Sequence, residues 1–583
     1  MLVYGSSSVD EAPSRILDRV ATRLAQSEGT RGHVRHDDLV AALLDAGALA
    51  QGLLDRGFEE RGDVDDLDPV GDAALDLATA IADAVASSWD GCARVASTRE
   101  QEALRRLAGF PLPDVVTVRE PEGFAHYAVY PEAFMAAARE VAPGPACVIG
   151  IRTIGTTLGA AVAASLDDVA ALLTLRPVGH PFRRECSVSP ALRAAIAACK
   201  AERYLVVDEG PGLSGSSIAA VVRLLAELGV PGDRITILSS HASAPGPEGD
   251  PETRAIWDRT NRLARTLDDL AGPTGPGTLA GWFEPETGPL REAPVDLSAG
   301  RWRAALGIDP ARRPPVLAWQ ERRKLLLRGS AGTFVARFAG LGRSGDRKLA
   351  VGRALAADGF VAEPIALRHG FLLEPWYEDA RPLDLAGSRD RLAEHVGRYL
   401  AARSRLGLAG AAPGASAHAL FAMLRRNAAE AFGEGSEQAV ERWRGDLDRL
   451  EAMRVPVATD NRLHLWEWLD LDGRILKADA LDHHAGHDLI GCQDIAWDIA
   501  GATLELALDD DGLARLLDAL VRAGVRTPPH DLIHFMLSCY AAFHCGYYGL
   551  ASRPAGEDQD GLSAMYVRYN TILVECLNGN RGF

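Results

Sequence analysis

The chain has 583 residues, of which 47% are hydrophobic and 24% are charged, and its formal net charge is −18. This length exceeds what one hydrophobic core organises, so several domains are expected, and the acidic balance argues against a general binder of nucleic acid or membrane surfaces. Eight cysteines without a CxxC pair exclude a zinc ribbon and a disulfide framework, and without a leader or an apolar run of roughly 20 residues a cytoplasmic protein is expected.

Residues 1–110 are predicted to form a helical lobe. Apolar residues recur at intervals of three and four, first at Ile16, Val20 and Leu24 and again between residues 39 and 54, which is the pattern of helices that bury one face. No group of chemistry-bearing residues interrupts it. We therefore expect a structural lobe or one that forms a homo-oligomer, and a lobe that carries a functional site is the alternative.

Residues 111–242 change to an α/β pattern. The unbroken apolar runs at 146–151 and 204–207 are typical of buried parallel strands. Each run is followed by a loop of small residues and then by a helical pattern. Because ligands bind beyond the carboxyl ends of strands in open α/β sheets, the residues after these two strands are the first candidates for a site.

The second of these strands ends in the acidic pair Asp208 and Glu209. The glycine–serine loop behind it suits a phosphate, since its backbone can approach closely and a helix N-terminus follows; the carboxylates suit Mg²⁺ or ribose hydroxyls. The stretch resembles the phosphoribosyl pyrophosphate (PRPP) motif of type I phosphoribosyltransferases, with a loop one residue longer. The resemblance implies a Rossmann-like core whose acidic pair holds the ribose and whose loop holds the 5′-phosphate through Gly212, Ser214, Gly215, Ser216 and Ser217. An ordinary strand–loop–helix is the alternative.

The same resemblance implies further ligand contacts. After the first strand, Arg152, Thr153 and Gly155 would form the pyrophosphate loop, with Arg152 as a fixed cation. The basic run at 173–185 falls where the family's flexible lid closes, and the implied pyrophosphate contacts there are Arg176, His180 and Arg183. A solvated basic turn is the alternative for this run. The acceptor would be covered by a segment whose aromatic residues could equally be core: Phe124, Tyr127 and Tyr130.

Residues 243–315 are punctuated by proline and glycine, notably at 244–251 and 272–277, with one helical insert around 252–270. This composition predicts a linker or an irregular connecting region. The α/β core is therefore expected to end at residue 242.

Residues 316–583 begin with a predicted hairpin at 322–342, a helix at 346–358 and two short strands. This order resembles the small lobe of aminoglycoside phosphotransferases and choline-kinase-like proteins. The resemblance implies a bilobal α+β domain that binds ATP near Arg337, Glu374 and Trp376. It also makes Asp460 the catalytic base or the residue that orients the acceptor hydroxyl, Asp482 or Asp479 the Mg²⁺ ligand, and Asp494 the opening of a helix.

This second part departs from the family pattern at several positions. Arg337 stands where a lysine is usual, and an arginine fork does not reproduce its role. Residues 458–460 read Ala-Thr-Asp in place of His-x-Asp, no asparagine follows Asp460 by five residues, and no helix glutamate is available to pair with Arg337. A degenerate lobe kept for binding or scaffolding is therefore the alternative to an active kinase. His483 and His487 also permit a zinc site on one helix face.

The sequence thus predicts an α/β multidomain protein with a helical lobe, a Rossmann-like type I phosphoribosyltransferase core and a kinase-like domain. The expected function is PRPP-dependent transfer of a phosphoribosyl group to an unidentified small-molecule acceptor, with Mg²⁺ and with a second, ATP-dependent phosphotransfer as an option. Two alternatives stay open. One is a non-catalytic regulatory or scaffold protein that senses PRPP or nucleotides, and the other is a small-molecule kinase with an accessory PRPP-binding module.

Overall fold

A computed structural model describes residues 1–5, 8–91, 98–246, 248–271, 277–385, 388–553, 556 and 558–579. Cys92 and most of the glycine–proline run at 272–277 lie outside these ranges. What the sequence predicts for them therefore stays a prediction. The other seven cysteines are free thiols. Within the described ranges, no helix combines the length and the apolar character needed to cross a membrane.

The helices and strands follow the chain in this order. The α-helices are α1 Pro13–Gly29, α2 Gly32–Glu60, α3 Pro69–Trp89, α4 Thr98–Ala108, α5 Glu122–His126, α6 Pro131–Ala138, α7 Ile154–Ala163, α8 Pro190–Ala198, α9 Ser216–Glu227, α10 Pro251–Arg259, α11 Leu267–Ala271, α12 Leu279–Trp282, α13 Glu284–Thr287, α14 Trp302–Ala305, α15 Arg343–Ala357, α16 Arg389–Arg405, α17 Ala417–Phe432, α18 Glu437–Val440, α19 Leu447–Met453, α20 Ala496–Glu505, α21 Asp510–Arg522, α22 His530–Ala551 and α23 Gln559–Leu577. The strands are β1 Ser8–Glu11, β2 Val116–Arg119, β3 Ala146–Ile151, β4 Val169–Leu175, β5 Val178–His180, β6 Arg183–Glu185, β7 Arg203–Val207, β8 Ile235–Ser239, β9 Asn261–Ala264, β10 Val295–Asp296, β11 Lys324–Gly329, β12 Gly332–Phe338, β13 Ala366–Arg368, β14 Phe371–Pro375, β15 Arg381–Pro382, β16 Trp468–Leu471 and β17 Arg474–Lys477.

Helices α1 to α4 form the helical layer that the apolar spacing predicts. The central helix, α2, packs against α1, α3, α7 and β2, and it is apolar on most of its surface for that reason. Helix α3 begins where Asp68 accepts hydrogen bonds from the N–H groups of Val70 and Gly71, with Pro69 in its first position. The layer therefore covers the α/β part directly.

A five-stranded parallel sheet forms the middle of the N-terminal half, in the order β4-β3-β7-β8-β9. All six residues of β3 are buried, as expected of a strand covered on both faces. The chain leaves β3 towards β4 on one side and returns to β7 on the other. The order of strands therefore reverses between β3 and β7, and a crevice opens beyond their carboxyl ends.

The segment 243–315 is more regular than its composition predicts. Strand β9 extends the parallel sheet beyond residue 242 by pairing with β8, and β10 pairs with β11 of a different sheet. Short helices connect the two strands. The segment therefore belongs to both halves of the molecule, because backbone pairing and burial of residues such as Trp257 and Phe283 outweigh the local turn signals.

The C-terminal half combines an antiparallel sheet with a helical layer. The sheet has the order β10-β11-β12-β14-β13 and carries helix α15 between β12 and β13. A second, three-stranded sheet, β15-β16-β17, lies next to helices α16 to α23. The predicted hairpin is confirmed as β11 and β12, which are paired from Lys324–Arg337 to Gly329–Gly332.

The two halves share a hydrophobic core. One continuous cluster contains residues of the helical layer such as Leu43, of the parallel sheet such as Val148, and of the antiparallel sheet such as Phe338 and Phe371. The other face of the parallel sheet has a separate core with α8, α9 and α10. The antiparallel sheet is thus fixed against the N-terminal half by burial.

The first residues of the chain lie in the C-terminal half. Val3 is 1% exposed and belongs to the core of the C-terminal helices. The side-chain oxygen of Asn427 accepts a hydrogen bond of 2.6 Å from the N–H of Leu2, and the Asn427 amide donates to the Leu2 carbonyl at 3.0 Å. Strand β1 then pairs with β2. The N-terminal segment therefore contacts both the C-terminal helices and strand β2.

Candidate functional site

The crevice beyond β3 and β7 brings together the two loops that the sequence singles out. The loop after β3 runs through Arg152 and Thr153 into α7, and the loop after β7 runs from Asp208 to Gly215 and into α9. Gly212 and Gly215 have φ values of 54° and 68°, the left-handed region that favours glycine. The backbone here turns sharply enough to aim the N-terminus of α9 at the crevice.

Two arginines at this edge of the sheet are held by the helical layer. The Arg152 guanidinium donates from Nη1 to Asp55 at 3.1 Å and also pairs with Asp65, and Arg176 donates from Nε to the same Asp55 at 2.9 Å. Burial lowers the pKa of Arg152 to about 10. The sequence predicted pyrophosphate contacts for both arginines, but their charges are already neutralised inside the protein, and Thr153 likewise accepts from Arg176 at 3.3 Å.

The acidic pair has no such partners. Within the described part of the chain, neither Asp208 nor Glu209 forms an ion pair. Arg184 and Arg176 are the cations that act on the pKa of Asp208, and both lower it. Burial raises the pKa of Asp208 to about 7, and burial together with the neighbouring Asp208 raises the pKa of Glu209 to about 8. Two adjacent carboxyls that are desolvated without a cation mark a functional-site candidate.

The serine loop is in contact with the tip of the β5–β6 hairpin. The hydroxyls of Ser214 and Ser216 both donate to the carbonyl of Pro181, at 3.0 and 2.7 Å. His180 and Arg183 flank this tip and are exposed, and Ser217 is half-buried in the first turn of α9. A phosphate that used the serine hydroxyls would replace the Pro181 carbonyl.

The aromatic segment at 123–134 divides between two roles. Phe124 and Tyr130 are each 2% exposed and belong to the shared core. Tyr127 is only half-buried, and its hydroxyl lies 3.4 Å from His487 Nε2 in the C-terminal half. Of the three predicted acceptor contacts, Tyr127 is the one that is not buried in the core.

A second cavity of about 340 Å³ lies between the antiparallel sheet and the C-terminal helical layer. Its apolar wall includes Val335 and Leu476, with Trp376 at the edge. Its polar wall includes the predicted nucleotide and metal residues, and its lining also contains Tyr4 from the start of the chain. The residues of the predicted site that line it are Arg337, Glu374, Trp376, Asp479 and Asp482.

Three potential metal ligands meet on this wall. Ligand atoms of Asp479, Asp482 and His483 all lie within 4.8 Å of one another. Asp482 Oδ2 receives Arg322 at 3.0 Å and Lys348 at 3.4 Å, and these cations hold the pKa of Asp482 well below its usual range despite burial. Asp479 is freer, with a side chain 41% exposed and 3.5 Å from Arg337 Nη1.

The donor set fits Mg²⁺ and does not fit zinc. The hydrogen bonds and ion pairs to Asp482 from described residues all fall on Oδ2, so Oδ1 is available, and carboxylate oxygens are the ligands that Mg²⁺ prefers. Burial would lower the pKa of His483, but Asp479 and Asp460 outweigh it and raise that pKa to about 10. His483 would have to release this proton to bind a metal, so its surroundings disfavour zinc. His487, the other histidine of the zinc hypothesis, stacks on Tyr4 instead.

Two of the three predicted nucleotide-binding residues form an ion pair with each other. Arg337 Nε lies 2.8 Å from Glu374 Oε2 across the neighbouring strands β12 and β14. The N–H of Trp376 donates to the Thr333 carbonyl at 2.9 Å. The cation on β12 therefore pairs with a carboxylate on the neighbouring strand β14, whereas Lys348 of α15 pairs with Asp482.

Asp460 lies behind the cavity wall. It is 1% exposed, accepts a hydrogen bond from the Tyr399 hydroxyl and lies 3.5 Å from Lys477 Nζ. It is not among the cavity-lining residues. The predicted contact with an acceptor hydroxyl therefore has no geometric basis in this conformation, and Asp460 acts on the cavity through Lys477 and His483.

Two buried residues that the sequence did not single out hold this loop. Asp498 accepts hydrogen bonds from the N–H groups of Asp460 and Asn461, at 2.7 and 2.9 Å. Arg403 donates to the carbonyls of Ala458 and Thr459. Asp494, the predicted helix opening, accepts from the N–H of Ala496 at the first residue of α20. The doubled Asp-Ile-Ala pattern at 494–496 and 498–500 was the available signal for Asp498.

The chain matches no protein family model and no curated protein. It is similar to solved structures over about half of its length. Choline kinase LicA from Streptococcus pneumoniae shares 13% identity, covers 43% of this chain and 89% of its own, and has a TM-score of 0.31. A choline/ethanolamine kinase family protein from Mesorhizobium loti shares 15%, with 48% and 97% covered and a TM-score of 0.32.

A putative aminoglycoside phosphotransferase from Ralstonia eutropha shares 13% identity, covers 52% of this chain and 97% of its own, and has a TM-score of 0.34. Part of the chain is thus similar to kinase-like phosphotransferases. Because the identities and TM-scores are this low, no activity passes from these proteins to this chain.

Proposed function

We propose that the protein is a small-molecule kinase whose second module binds a phosphorylated pentose such as PRPP. The observation that carries the kinase is the position of Asp479 and Asp482, side by side on the wall of a cavity that also presents Arg337. Phosphoryl transfer needs phosphates held by a metal and by cations, plus a carboxylate near the acceptor hydroxyl. This cavity brings those groups together.

In this proposal the cavity residues have separate roles. Val335 and Leu476 cover a flat ring, and Arg337 faces the phosphates. Asp479 and Asp482 hold Mg²⁺, which supplies neutralisation of phosphate charge. Asp488 also lines the cavity, with its Oδ2 4.0 Å from Arg462, and the proposal assigns it the role of orienting the acceptor hydroxyl.

The kinase is tested by calorimetry with ADP in the presence and absence of Mg²⁺, followed by ATP consumption with a metabolite pool. We expect Asp479→Asn to abolish the effect of Mg²⁺ on ADP affinity and Asp488→Asn to slow turnover without weakening ADP. Asp470→Asn is the matched control, because Asp470 lies on β16 outside the cavity and pairs with Arg391. Absence of ADP binding by the unaltered protein would falsify the proposal.

A second candidate is phosphoribosyl transfer at the crevice, favoured by the unpaired Asp208 and Glu209. The reaction breaks the bond between the ribose and pyrophosphate through an oxocarbenium-like centre, so positioning and electrostatics supply most of the rate. Since Arg152 and Arg176 are tied to the helical layer, Arg183 and His180 are the groups of the predicted set free to face a diphosphate.

Pyrophosphate release from PRPP, Mg²⁺ and a metabolite pool decides between transfer and binding alone. Release that Asp208→Asn abolishes supports a transferase. PRPP binding without pyrophosphate release supports the accessory module. If ATP is not consumed either, PRPP binding supports a sensor or scaffold. If PRPP does not bind, the crevice has another ligand and both pentose proposals fail.

A further inference from the structure

We infer that the crevice is an effector site for the kinase cavity, and that a phosphorylated pentose bound at Asp208 and Glu209 tightens nucleotide binding at Asp482. The inference rests on the proposed function, and helix α5 carries it. This five-residue helix touches both sites at once, with its beginning at the crevice and its end at the cavity.

The first turn of α5 contacts the crevice through its backbone. Gly123 lies against the Glu209 carboxylate, and its N–H opposes the rise that burial causes in the pKa of that carboxyl. A β-carbon on Gly123 would lie 2.8 Å from Glu209 Oε2 and 2.6 Å from Ile154 in α7. The helix is therefore pressed against both loops of the crevice, and ribose hydroxyls that bond to Glu209 compete with the Gly123 N–H.

The end of α5 is held by the two cations that pair with Asp482. The carbonyl of Ala125 accepts from Lys348 Nζ at 3.2 Å, and the carbonyl of His126 accepts from Arg322 Nη1 at 3.3 Å. The same two cations bind Asp482 Oδ2, at 3.4 and 3.0 Å. Cations are favoured at the carbonyl end of a helix, so α5 and Asp482 share them.

A side-chain contact runs beside this backbone connection. The Tyr127 hydroxyl lies 3.4 Å from His487 Nε2, and His487 lines the cavity. Tyr127 directly follows α5 and is its C-terminal cap residue. The helix thus reaches the cavity through two backbone carbonyls and one side chain, over a length of roughly 7 Å at 1.5 Å per residue.

Each ligand weakens contacts that hold α5 in place. A pentose in the crevice takes over Glu209 and loosens the start of α5. Nucleotide phosphates draw Arg322, which lines the cavity, away from the end of α5, and Lys348 follows through its ion pair with Asp482. The ligand that binds first weakens some of the contacts of α5 that the second ligand must break. Each ligand therefore favours the binding of the other. By linkage the two ligands must change each other's affinity by the same factor, and couplings of this kind are typically about 5- to 150-fold.

The experiment is a pair of calorimetric titrations on the full chain: ADP with and without saturating PRPP, and PRPP with and without saturating ADP. We expect ADP affinity to rise at least about fivefold with PRPP, and PRPP affinity to rise by the same factor with ADP. Both ligands binding with unchanged or weakened affinities would overturn this inference and leave the proposed function standing. No ADP binding in either titration overturns both.

Two variants test the route. Tyr127→Phe removes the contact with His487 and should lower the coupling factor, and Lys348→Met should lower it further. Tyr130→Phe is the matched control, since its hydroxyl donates to the His369 carbonyl across the same interface without touching α5 or the cavity. If Tyr127→Phe, which keeps the ring and the fold, and Lys348→Met both retain the unaltered factor, α5 is not the connection and the inference fails.

Discussion

Gly150 and Gly155 approach each other so closely that neither can carry a side chain. A β-carbon on Gly150 would come within 2.1 Å of the Gly155 carbonyl oxygen, and one on Gly155 within 2.5 Å of the Val207 carbonyl oxygen. The loop after β3 is therefore pressed against β7. The width of the crevice depends on these two glycines, because a backbone neighbour cannot move aside as a flexible side chain can.

Alanine at this contact should be costly in a way that alanine nearby is not. We expect Gly155→Ala to lower the free energy of unfolding by about 2 kcal/mol through overpacking against backbone. Gly159→Ala lies one turn further along α7, where the nearest atom is 3.5 Å away, and it should raise stability by about 0.5 kcal/mol because alanine favours helices. Urea denaturation distinguishes them, and equal effects would contradict the close approach.

The ion-pair network between the helical layer and the sheet should be essential to the fold. Asp55→Ala leaves the guanidinium groups of Arg152 and Arg176 buried without this partner, and we expect a loss of about 3 kcal/mol in the free energy of unfolding. Glu60→Ala breaks the exposed pair with Arg56 on the same helix and should cost less than about 0.5 kcal/mol. A comparably small loss for Asp55→Ala would show that Arg152 and Arg176 can turn to solvent.

The acidic pair predicts a pH-dependent stability. In the folded protein burial raises the pKa values of Asp208 and Glu209 to about 7 and 8, whereas unfolded carboxyls titrate near 4. Their contribution is therefore complete below about pH 4 and is lost as pH rises through 7 and 8.

The double variant Asp208→Asn, Glu209→Gln removes this titration. We expect it to exceed the unaltered protein in stability by about 2 kcal/mol at pH 9, with the advantage shrinking towards pH 4. Chemical denaturation across this range measures the difference. An advantage that stays constant with pH would mean that the two carboxyls are ionised at ordinary pKa values in the fold.

The two metal-candidate carboxylates should separate stability from binding. Asp482→Asn deprives buried Lys348 of its carboxylate, and we expect a loss of about 3 kcal/mol in the free energy of unfolding. Asp479→Asn changes a side chain that is 41% exposed and should cost less than about 1 kcal/mol. Thermal denaturation of both is the measurement. A large loss of stability in Asp479→Asn would mean that this variant changes the Mg²⁺ dependence of ADP affinity by disturbing the fold and not by removing a metal ligand.

The sequence predicted local secondary structure better than it predicted contacts between residues that are distant in the chain. Helices of the first lobe, the strands at 146–151 and 204–207 and the hairpin at β11 and β12 follow from periodicity that acts over a few residues. Arg152 shows the limit: its partners Asp55 and Asp65 are some 90 residues away, so a cation read as a ligand contact proved to be neutralised internally. The burial of Asp460 behind Lys477 was not predicted for a related reason, since it depends on tertiary packing. Strand β9 was missed because pairing with β8 overrides a weak local pattern.

The position of Val3 has a consequence for how the chain is made. During synthesis the first residues emerge long before Asn427, which lies 425 residues beyond Leu2, so they must wait for most of the protein before they can dock. The entropic cost of closing so long a loop grows only slowly with its length, and the delay is one of time more than of energy. A protein that lacks residues 1–5 would therefore assemble its last helices around a gap, and supplying these residues as a separate peptide should restore part of the lost stability, as measured by chemical denaturation.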